Sequence, residues 1–158
     1  MTTMSYHKPI GGVEFCELHF ADSLASISFE DEECCLEFMD DGIAVTLADD
    51  LSSFVERLDC DRGVAKVEHR LRLVAQRNEA DEWLDRNFLR RAARAGIIAL
   101  LTLNDGRTLA VGVSQHLGTE QPLRLGSLTC DSGVAPADTP RVILELHSTD
   151  TALATPFF

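Results

Sequence analysis

The sequence predicts an α+β fold that is mostly an antiparallel β-sandwich or a partly open barrel, with one flanking α-helix over about residues 79–95. Three observations predict this class: many short runs of alternating apolar residues, Asp-Gly turns between such runs, and one amphipathic stretch with matching helix-end charges. The chain has 158 residues, of which 45% are hydrophobic, which is enough for one core. We therefore expect a single domain over residues 1–158.

The N-terminal third of the chain predicts paired strands. Apolar alternation begins at residue 13 and continues to about residue 29. Further on, Asp40-Asp41-Gly42 separates an apolar run ending at Phe38 from an alternating run over residues 43–47. Because an Asp-Gly pair accepts the positive φ of a tight turn, this pattern predicts a hairpin between the two runs.

Residues 51–61 have no clear period, and Ser52 or Ser53 could cap one or two helical turns there. The next run predicts a strand, because its apolar and charged residues alternate strictly. The face predicted to point at the core carries Val67, His69, Leu71 and Leu73.

The only strong helix pattern runs from Asn78 or Glu79 to Ala95. Asn78 is the expected N-cap, acidic residues occupy the first turns and arginines the last turns, as the helix dipole favours. Gly96 is expected to end the helix. The apolar stripe of the helix consists of Ala80, Trp83, Leu84, Phe88 and Ala92.

A second hairpin is predicted directly after the helix, since residues 97–103 and 108–114 flank Asn104-Asp105-Gly106-Arg107. Shorter apolar runs around residues 123–128 and 142–146 predict the last strands. Residues 153–158 are mostly apolar, and we expect them to form an extended C-terminal arm.

The net charge of −12 lies entirely in the first 62 residues, which hold fifteen carboxylates and three basic residues. The remaining residues hold eleven of each. An acidic chain is a poor partner for nucleic acid, because phosphate binding needs a basic surface. The charge pattern instead favours solubility and docking to a basic protein surface.

The sequence also bears on location. Met1–Ile10 contains one lysine and no apolar stretch, which is unlike a secretory signal, and no apolar run approaches the ~20 residues that span a bilayer. We expect a cytoplasmic protein, or one in a particle assembled in the cytoplasm, with no membrane partner.

No motif for catalysis, phosphate binding or metal binding is found in the sequence. The five cysteines are odd in number and form no Cys-x-x-Cys pair, so we interpret them as small buried hydrophobes in a reducing compartment. The acidic run over residues 30–33 lacks the ligand order of a dedicated calcium loop and is interpreted as a solvated loop or charged strand edge, with a cation site as the alternative. We predict no catalytic residue, no cofactor, no metal and no small-molecule substrate.

The residues predicted to matter form an interaction surface. Arginines near the end of the helix would present positive charge, while the acidic run would present negative charge, so that one copy could meet the next head to tail. The alternative is that the arginines serve only the helix dipole and solvation. The predicted surface consists of Arg86, Arg90, Arg91, Arg94, Glu30, Asp31, Glu32, Glu33, Phe157 and Phe158. The two phenylalanines either await a partner or fold back on their own domain.

From Val64 onward the predicted order is strand, helix, Gly96, strand, Asn104-Asp105-Gly106-Arg107, strand, Pro122-Leu123-Arg124-Leu125, Ser132-Gly133 and a closing strand that ends in Asp150-Thr151-Ala152. Over residues 64–155 this order resembles small structural proteins of phage and prophage tail modules, particularly those of Bacteroides-like gut bacteria. The resemblance implies a non-enzymatic tail-like particle component that assembles into a ring or tube, with other copies or other tail proteins as partners.

Two other functional classes stay open at this stage. A β-sandwich module that binds a ligand or protein would show a concave apolar pocket with a few convergent polar groups. An enzyme would need perturbed titratable groups gathered in one cleft.

Overall fold

The computed structural model describes residues 11–48, 51–115 and 117–157. Ten strands, two helices and one 3-10 turn, Ala21–Ser23, are formed in this part of the chain. The strands are β1 Val13–Phe20, β2 Leu24–Glu30, β3 Glu33–Phe38, β4 Ile43–Val45, β5 Ser53–Asp61, β6 Val64–Gln76, β7 Ile97–Leu103, β8 Thr108–Val111, β9 Arg124–Asp131 and β10 Arg141–Asp150; the helices are α1 Arg77–Ala80 and α2 Arg86–Ala95.

The strands form two four-stranded sheets and one separate hairpin, and every pairing between strands is antiparallel. The inner sheet has the order β4-β1-β7-β8, the outer sheet has the order β5-β6-β10-β9, and β2 pairs with β3. Both sheets are open: β4 and β8 are the edge strands of the inner sheet, and β5 and β9 are those of the outer sheet. The predicted α+β class is confirmed, and of its two forms the structure has the sandwich.

Three layers follow from where the apolar side chains lie. One core cluster joins the inner and outer sheets and includes Leu18, Leu101, Leu71 and Leu144, together with Phe88 of α2. A second cluster joins the opposite face of the inner sheet to the β2–β3 hairpin. Both faces of β7 are therefore covered, which explains its nearly continuous apolar sequence.

The predicted helix over residues 79–95 is present as two helices with a break before Asp85. The Asp85 side chain accepts a hydrogen bond from the Phe88 backbone N–H at 2.8 Å and caps α2, while Asn78 lies inside α1 and is not a cap. Gly96 ends α2 as predicted, with φ of +80°. A Cβ at Gly96 would fall 2.4 Å from Pro122, so this position needs glycine for space as well.

The predicted hairpin at Asp40-Asp41-Gly42 is wrong, since β3 pairs with β2 and β4 pairs with β1. The chain does turn at Gly42, where φ is +72°, but it passes from the hairpin layer to the edge of the inner sheet. The real hairpin turn is in the acidic run, where Asp31 and Glu32 have φ of +47° and +66°. The structure therefore places the acidic run at a turn, in agreement with its interpretation as a loop.

The predicted alternative of one or two helical turns over residues 51–61 is also wrong. This segment is strand β5, which pairs with β6 along its length through a turn at Arg62 and Gly63. The Ser52 hydroxyl accepts a hydrogen bond from the Val74 N–H at 3.0 Å. It therefore satisfies a backbone N–H of strand β6 and does not cap a helix. The predicted core face of β6, the β7–β8 hairpin and the closing strand β10 are confirmed.

Candidate functional site: two charged surfaces and a buried polar cluster

The acidic residues singled out in the sequence form one exposed turn. Glu30 and Glu33 are paired directly across β2 and β3, and Asp31 and Glu32 are the central turn residues. Among the described residues, no basic side chain lies within 4.0 Å of these four carboxylates. Residues 30–33, which we call the acidic turn, therefore carry negative charge that no described basic side chain balances. Because Glu30 and Glu33 lie directly opposite each other, their repulsion also destabilises this end of the strand pair.

The four arginines predicted on the helix do not form one group. Arg86, Arg90 and Arg94 are exposed and four residues apart, which places them on one face of α2. Arg91 points elsewhere: its Nη2 lies 3.0 Å from Asp22 Oδ1, and its guanidinium lies 4.3 Å from the centre of the Phe20 ring. Arg91 therefore fastens α2 to the end of β1 and is occupied within its own chain.

Sequence reasoning missed a second set of basic residues on the outer sheet. His147 of β10 is paired with Arg70 of β6 on one side and with Arg124 of β9 on the other, and all three residues are exposed. Arg124 also donates to the Ala93 carbonyl of α2 at 3.4 Å, which joins this row to the helix face. We call the row and the helix residues together the basic face; it consists of Arg70, Arg124, His147, Arg86, Arg90 and Arg94.

The signal that points to this row was partly visible in the sequence. Alternation in β6 already placed Arg70 on the polar side of its strand. Alternation does not reveal which strands are neighbours, however, and the row exists because β10 lies between β6 and β9.

A furrow of about 450 Å³ crosses the exposed face of the outer sheet beside this row. One wall carries Val55, Arg70 and His147, and the other carries Ser53, Arg72, Ser127 and Glu145. Gly126 also lines the furrow, adds no side chain to it and lies at a register shift between β9 and β10.

The two walls of the furrow differ in how far their charges are balanced. Arg72 Nε lies 3.8 Å from Glu145, and Arg72 also donates to the Leu51 carbonyl at 3.1 Å. Among the described residues, Arg70 has one carboxylate within 4.0 Å, that of Glu68 at 3.9 Å, and the Arg70 side chain is 75% exposed. The Arg70 wall is therefore the electropositive one.

The acidic turn and the outer-sheet row belong to opposite outer layers of the molecule. The hairpin that carries the turn covers the inner sheet, whereas Arg70 and His147 face away from the core on the outer sheet. The inner sheet, with an apolar cluster on each of its two faces, lies between these two layers. Opposite charges are thus carried by the two outer layers of one molecule.

A polar cluster is buried at one end of the sandwich. His69 Nδ1 lies 3.2 Å from the Ser148 hydroxyl oxygen, and His69 Nε2 lies 3.2 Å from Glu56 Oε1. The Nε2 contact is short, but its direction does not make a hydrogen bond. Glu56 Oε1 also accepts a hydrogen bond from the Ala154 N–H.

Serine, histidine and glutamate are the side chains of a nucleophilic site, but their surroundings favour a structural role. Ser148 and His69 are 8% and 3% exposed, so neither side chain is presented at the surface. Through Glu56 the cluster holds the segment after β10 at Ala154. Sequence analysis placed His69 on the core face but did not connect it with Glu56 or Ser148.

A second buried histidine supports the hairpin layer. The His19 ring stacks on Phe38 with ring centres 3.7 Å apart, and His19 Nε2 lies 2.8 Å from Glu17 Oε1. His19 Nδ1 is buried with no hydrogen-bond partner in the described structure. A Cβ at Gly42 would come within 2.4 Å of the ring, so the chain after β3 packs tightly over this histidine.

The C-terminal arm lies against its own domain over the described residues. The Ala110 N–H donates to the Thr155 carbonyl and the Cys34 N–H donates to the Pro156 carbonyl, both at 2.8 Å, so the arm bridges β8 and β3. Phe157 packs on the second apolar cluster, which is the folded-back alternative for this residue. Phe158 lies outside the described residues. A groove of about 770 Å³ runs beside the arm and is lined by Phe29, Glu32, Ser114, Gln115 and residues 151–156.

All five cysteines are free thiols, but only Cys16 and Cys34 are buried. The prediction of five buried cysteines is wrong for the other three, because Cys35 is half-buried and Cys60 and Cys130 lie on exposed strand positions. Burial, reinforced by the neighbouring Cys35, raises the pKa of Cys34 to about 11, and burial raises the pKa of Cys16 further still. Both thiols are therefore protonated and unreactive at neutral pH. No group of three or more residues suited to hold a metal ion occurs in the described part of the chain, and no helix there has the length and apolar character to cross a bilayer.

No family model, curated protein or solved structure matches this chain. Interpretation of the function therefore depends on the two charged surfaces and the buried cluster described above, together with the resemblance inferred from the sequence.

Proposed function

We propose that this protein is a non-enzymatic structural or assembly protein of the phage tail type, which associates head to tail with copies of itself into a ring or tube. The observation that carries this proposal is the placement of the acidic turn and the Arg70–His147 row on opposite outer layers. The proposed compartment is the cytoplasm or a particle assembled there.

Opposed, complementary surfaces favour a heterologous contact. When a surface on one side of a subunit binds a different surface on the other side of the next, the contact repeats and gives a ring or an open helical assembly. A two-fold dimer would instead need one surface that complements itself. The acidic turn repels another acidic turn, so the repeating contact is the one that the charges support.

The overall charge of −12 opposes association at long range, whereas the complementary patches favour it at short range. At physiological ionic strength the Debye length is about 8 Å, so the net repulsion is largely screened while contacts at the interface persist. Added salt beyond this point weakens the contacts themselves. Association is therefore expected to have an optimum at moderate ionic strength.

The non-enzymatic part of the proposal is supported by the buried cluster. His69 and Ser148 have the chemistry of a nucleophilic pair, but both are covered and the glutamate beside them holds the backbone at Ala154. The tail-type assignment rests on the order of elements and motifs over residues 64–155 and is part of the proposal.

The experiment is sedimentation velocity over a concentration series from about 1 to 100 μM at about 0.02, 0.15 and 0.5 M NaCl, with electron microscopy of the concentrated samples. We expect the mean mass to rise with concentration at moderate salt, to fall at high salt, and rings or tubes to be visible. A strict monomer under every condition would overturn the proposal. Terminase, portal or tape-measure reading frames beside the gene would support the tail assignment, and a metabolic operon would contradict it.

The alternative function is a β-sandwich module that binds a ligand or another protein. The groove of about 770 Å³ beside the C-terminal arm favours it, because Phe29 and the arm give it apolar walls with a few polar groups. Thermal denaturation with a panel of small ligands separates the two functions. Stabilisation of the monomer by one ligand, without self-association, would favour the module.

A further inference from the structure

We propose that the furrow on the outer sheet is the receptor that takes the acidic turn of a second copy of this chain. This inference rests on the proposed function and assigns its two contact sites. Asp31 and Glu32 of one copy would enter between the wall of Arg70 and His147 and the wall of Ser53 and Ser127.

The receptor side is electrically unbalanced in the free protein. Arg70 and Arg124 lie on the two strands that flank His147, so two guanidinium charges share one cross-strand row that contains no carboxylate. Arg70 has no carboxylate closer than 3.9 Å in the described structure. A carboxylate placed over this row relieves the repulsion and accepts charge-assisted hydrogen bonds from the guanidinium group.

The shape of the furrow fits a narrow insertion. Gly126 adds no side chain to the furrow, and a Cβ there would lie 3.3 Å from the Glu145 carbonyl oxygen and 3.9 Å from the His147 ring. Glu145 is the one carboxylate among the residues that line the furrow. It already accepts a hydrogen bond from the Ser127 hydroxyl at 3.1 Å and lies beside Arg72. The negative charge of Glu145 is therefore paired with groups of the same chain, which leaves the Arg70 wall available to an incoming anion.

The acidic turn has the dimensions and charge to fill this space. Neighbouring strands of a hairpin are about 4.8 Å apart, so its two-residue end is a narrow wedge. All four of its residues are exposed, and it lies in the layer opposite to the furrow. Contact between the two sites therefore requires two molecules, and it leaves a free turn and a free furrow at the two ends of each pair.

The helix residues of the basic face have a different role. Arg86, Arg90 and Arg94 lie on the exposed side of α2, and none of the three lines the furrow. Their charge attracts the acidic turn during approach and raises the association rate, while the furrow supplies the specific contacts.

Two complementary variants test the inference. In the donor-deficient variant, Asp31→Asn with Glu32→Gly, the turn becomes Asn-Gly, which suits positive φ at both positions and keeps the hairpin folded. In the acceptor-deficient variant, Arg70→Gln with His147→Gln, the electropositive wall is removed from exposed positions. The matched control is Arg57→Gln with Lys66→Gln, which removes two basic groups from the same face of β5 and β6 outside the furrow.

Each of the two variants alone is expected to associate at least about tenfold more weakly than the unaltered protein, whereas an equimolar mixture should form a discrete heterodimer and no larger species. The control should associate like the unaltered protein. Circular dichroism and thermal melting establish that all variants are folded.

The possible failures are distinguishable. If the unaltered protein assembles and the acceptor-deficient variant assembles equally well, the furrow is not the receptor although the proposed function stands. If assembly is lost only in the triple variant Arg86→Gln, Arg90→Gln, Arg94→Gln, the receptor for the acidic turn lies on α2 and not in the furrow. Two monomeric variants whose mixture also stays monomeric would show that the turn does not bind the furrow. If the unaltered protein is monomeric under every condition, the proposed function itself is wrong.

Discussion

Arg70 of β6 and His147 of β10 are directly paired on the exposed face of the outer sheet, and the adjacent residues His69 and Ser148 are directly paired on its buried face. Side chains alternate between the two faces of a strand, so one short stretch of two strands serves both surfaces. The exposed pair forms part of the proposed receptor. The buried pair holds the strands together beneath it and, through Glu56, anchors the C-terminal segment.

The buried pair predicts a stability effect for Ser148→Ala. Removal of the hydroxyl leaves His69 Nδ1 buried without its partner at 3.2 Å, and we expect a loss of about 1–3 kcal/mol in the free energy of unfolding. Urea denaturation followed by circular dichroism measures it. Ser127→Ala, on the exposed face of β9, is the control and should change stability by less than about 0.5 kcal/mol. Equal effects would show that the buried contact contributes nothing special.

Tight packing over His19 predicts a large effect for Gly42→Ala. A methyl group there would lie 2.4 Å from the His19 ring, and alanine would be held at φ of +72°, so we expect destabilisation by about 2–4 kcal/mol. Gly63→Ala separates the two causes, because φ is +82° there but no atom lies within 4 Å of the added carbon. That control should lose only about 1 kcal/mol, and similar losses in both variants would contradict the packing over His19.

Docking of the C-terminal arm predicts that Phe157→Ala destabilises the isolated monomer. Phe157 packs on the cluster between the hairpin and the inner sheet, and we expect a loss of about 1–2 kcal/mol in a dilute sample. Leu153→Ala lies on the same segment but is 53% exposed, and it should have little effect. If Phe157→Ala instead weakens association and leaves monomer stability unchanged, the arm reaches a neighbouring copy in the assembly.

The environments of the cysteines predict selective thiol labelling. Cys60 and Cys130 are exposed and should react with iodoacetamide at pH 8, whereas Cys16 and Cys34 should be protected until the protein unfolds. A pKa of about 11 for Cys34 against an ordinary value near 9 lowers the thiolate fraction at pH 8 about a hundredfold, and burial adds steric protection. Mass spectrometry of peptides after timed labelling gives each rate. Fast labelling of Cys34 would show that the hairpin and arm open readily.

The same thiol has a consequence for stability at alkaline pH. Because the pKa of Cys34 is raised in the folded state, the folded protein holds this proton more tightly than the unfolded chain does. The associated stability is fully present below pH 9 and is lost as the pH rises towards 11. Cys34→Ser provides the comparison in a pH series of melting temperatures, since the serine hydroxyl does not titrate in this range.

Local patterns in the sequence were enough for the class of fold and for several elements. Alternation identified the core face of β6, and the Asn104-Asp105-Gly106-Arg107 turn identified the β7–β8 hairpin. The predicted helix was divided because the Asp85 side chain competes for the backbone and starts a new helix. Strand β5 was missed because its length is set by pairing with β6 and not by an apolar period of its own.

Part of the candidate surface was also accessible from the sequence. The acidic turn and the Arg86, Arg90 and Arg94 face of α2 were found from charge and spacing. Arg91 was assigned to the same surface, but its partner Asp22 lies 69 positions earlier in the chain. The furrow was not found, because its walls come from four strands whose order no local pattern contains.

By itself, then, the amino-acid sequence determined the β-rich class, the faces of its clearest strands and the uneven distribution of charge, because these follow from periods of two residues and from composition. Tertiary structure alone decided that β4, the strand after Gly42, pairs with β1 and not with β3, that Arg70 lies beside His147, and that the acidic turn and the furrow occupy opposite layers. The physical reason is that a turn residue specifies a reversal of the backbone, while the choice of neighbouring strand depends on burying apolar surface from distant parts of the chain.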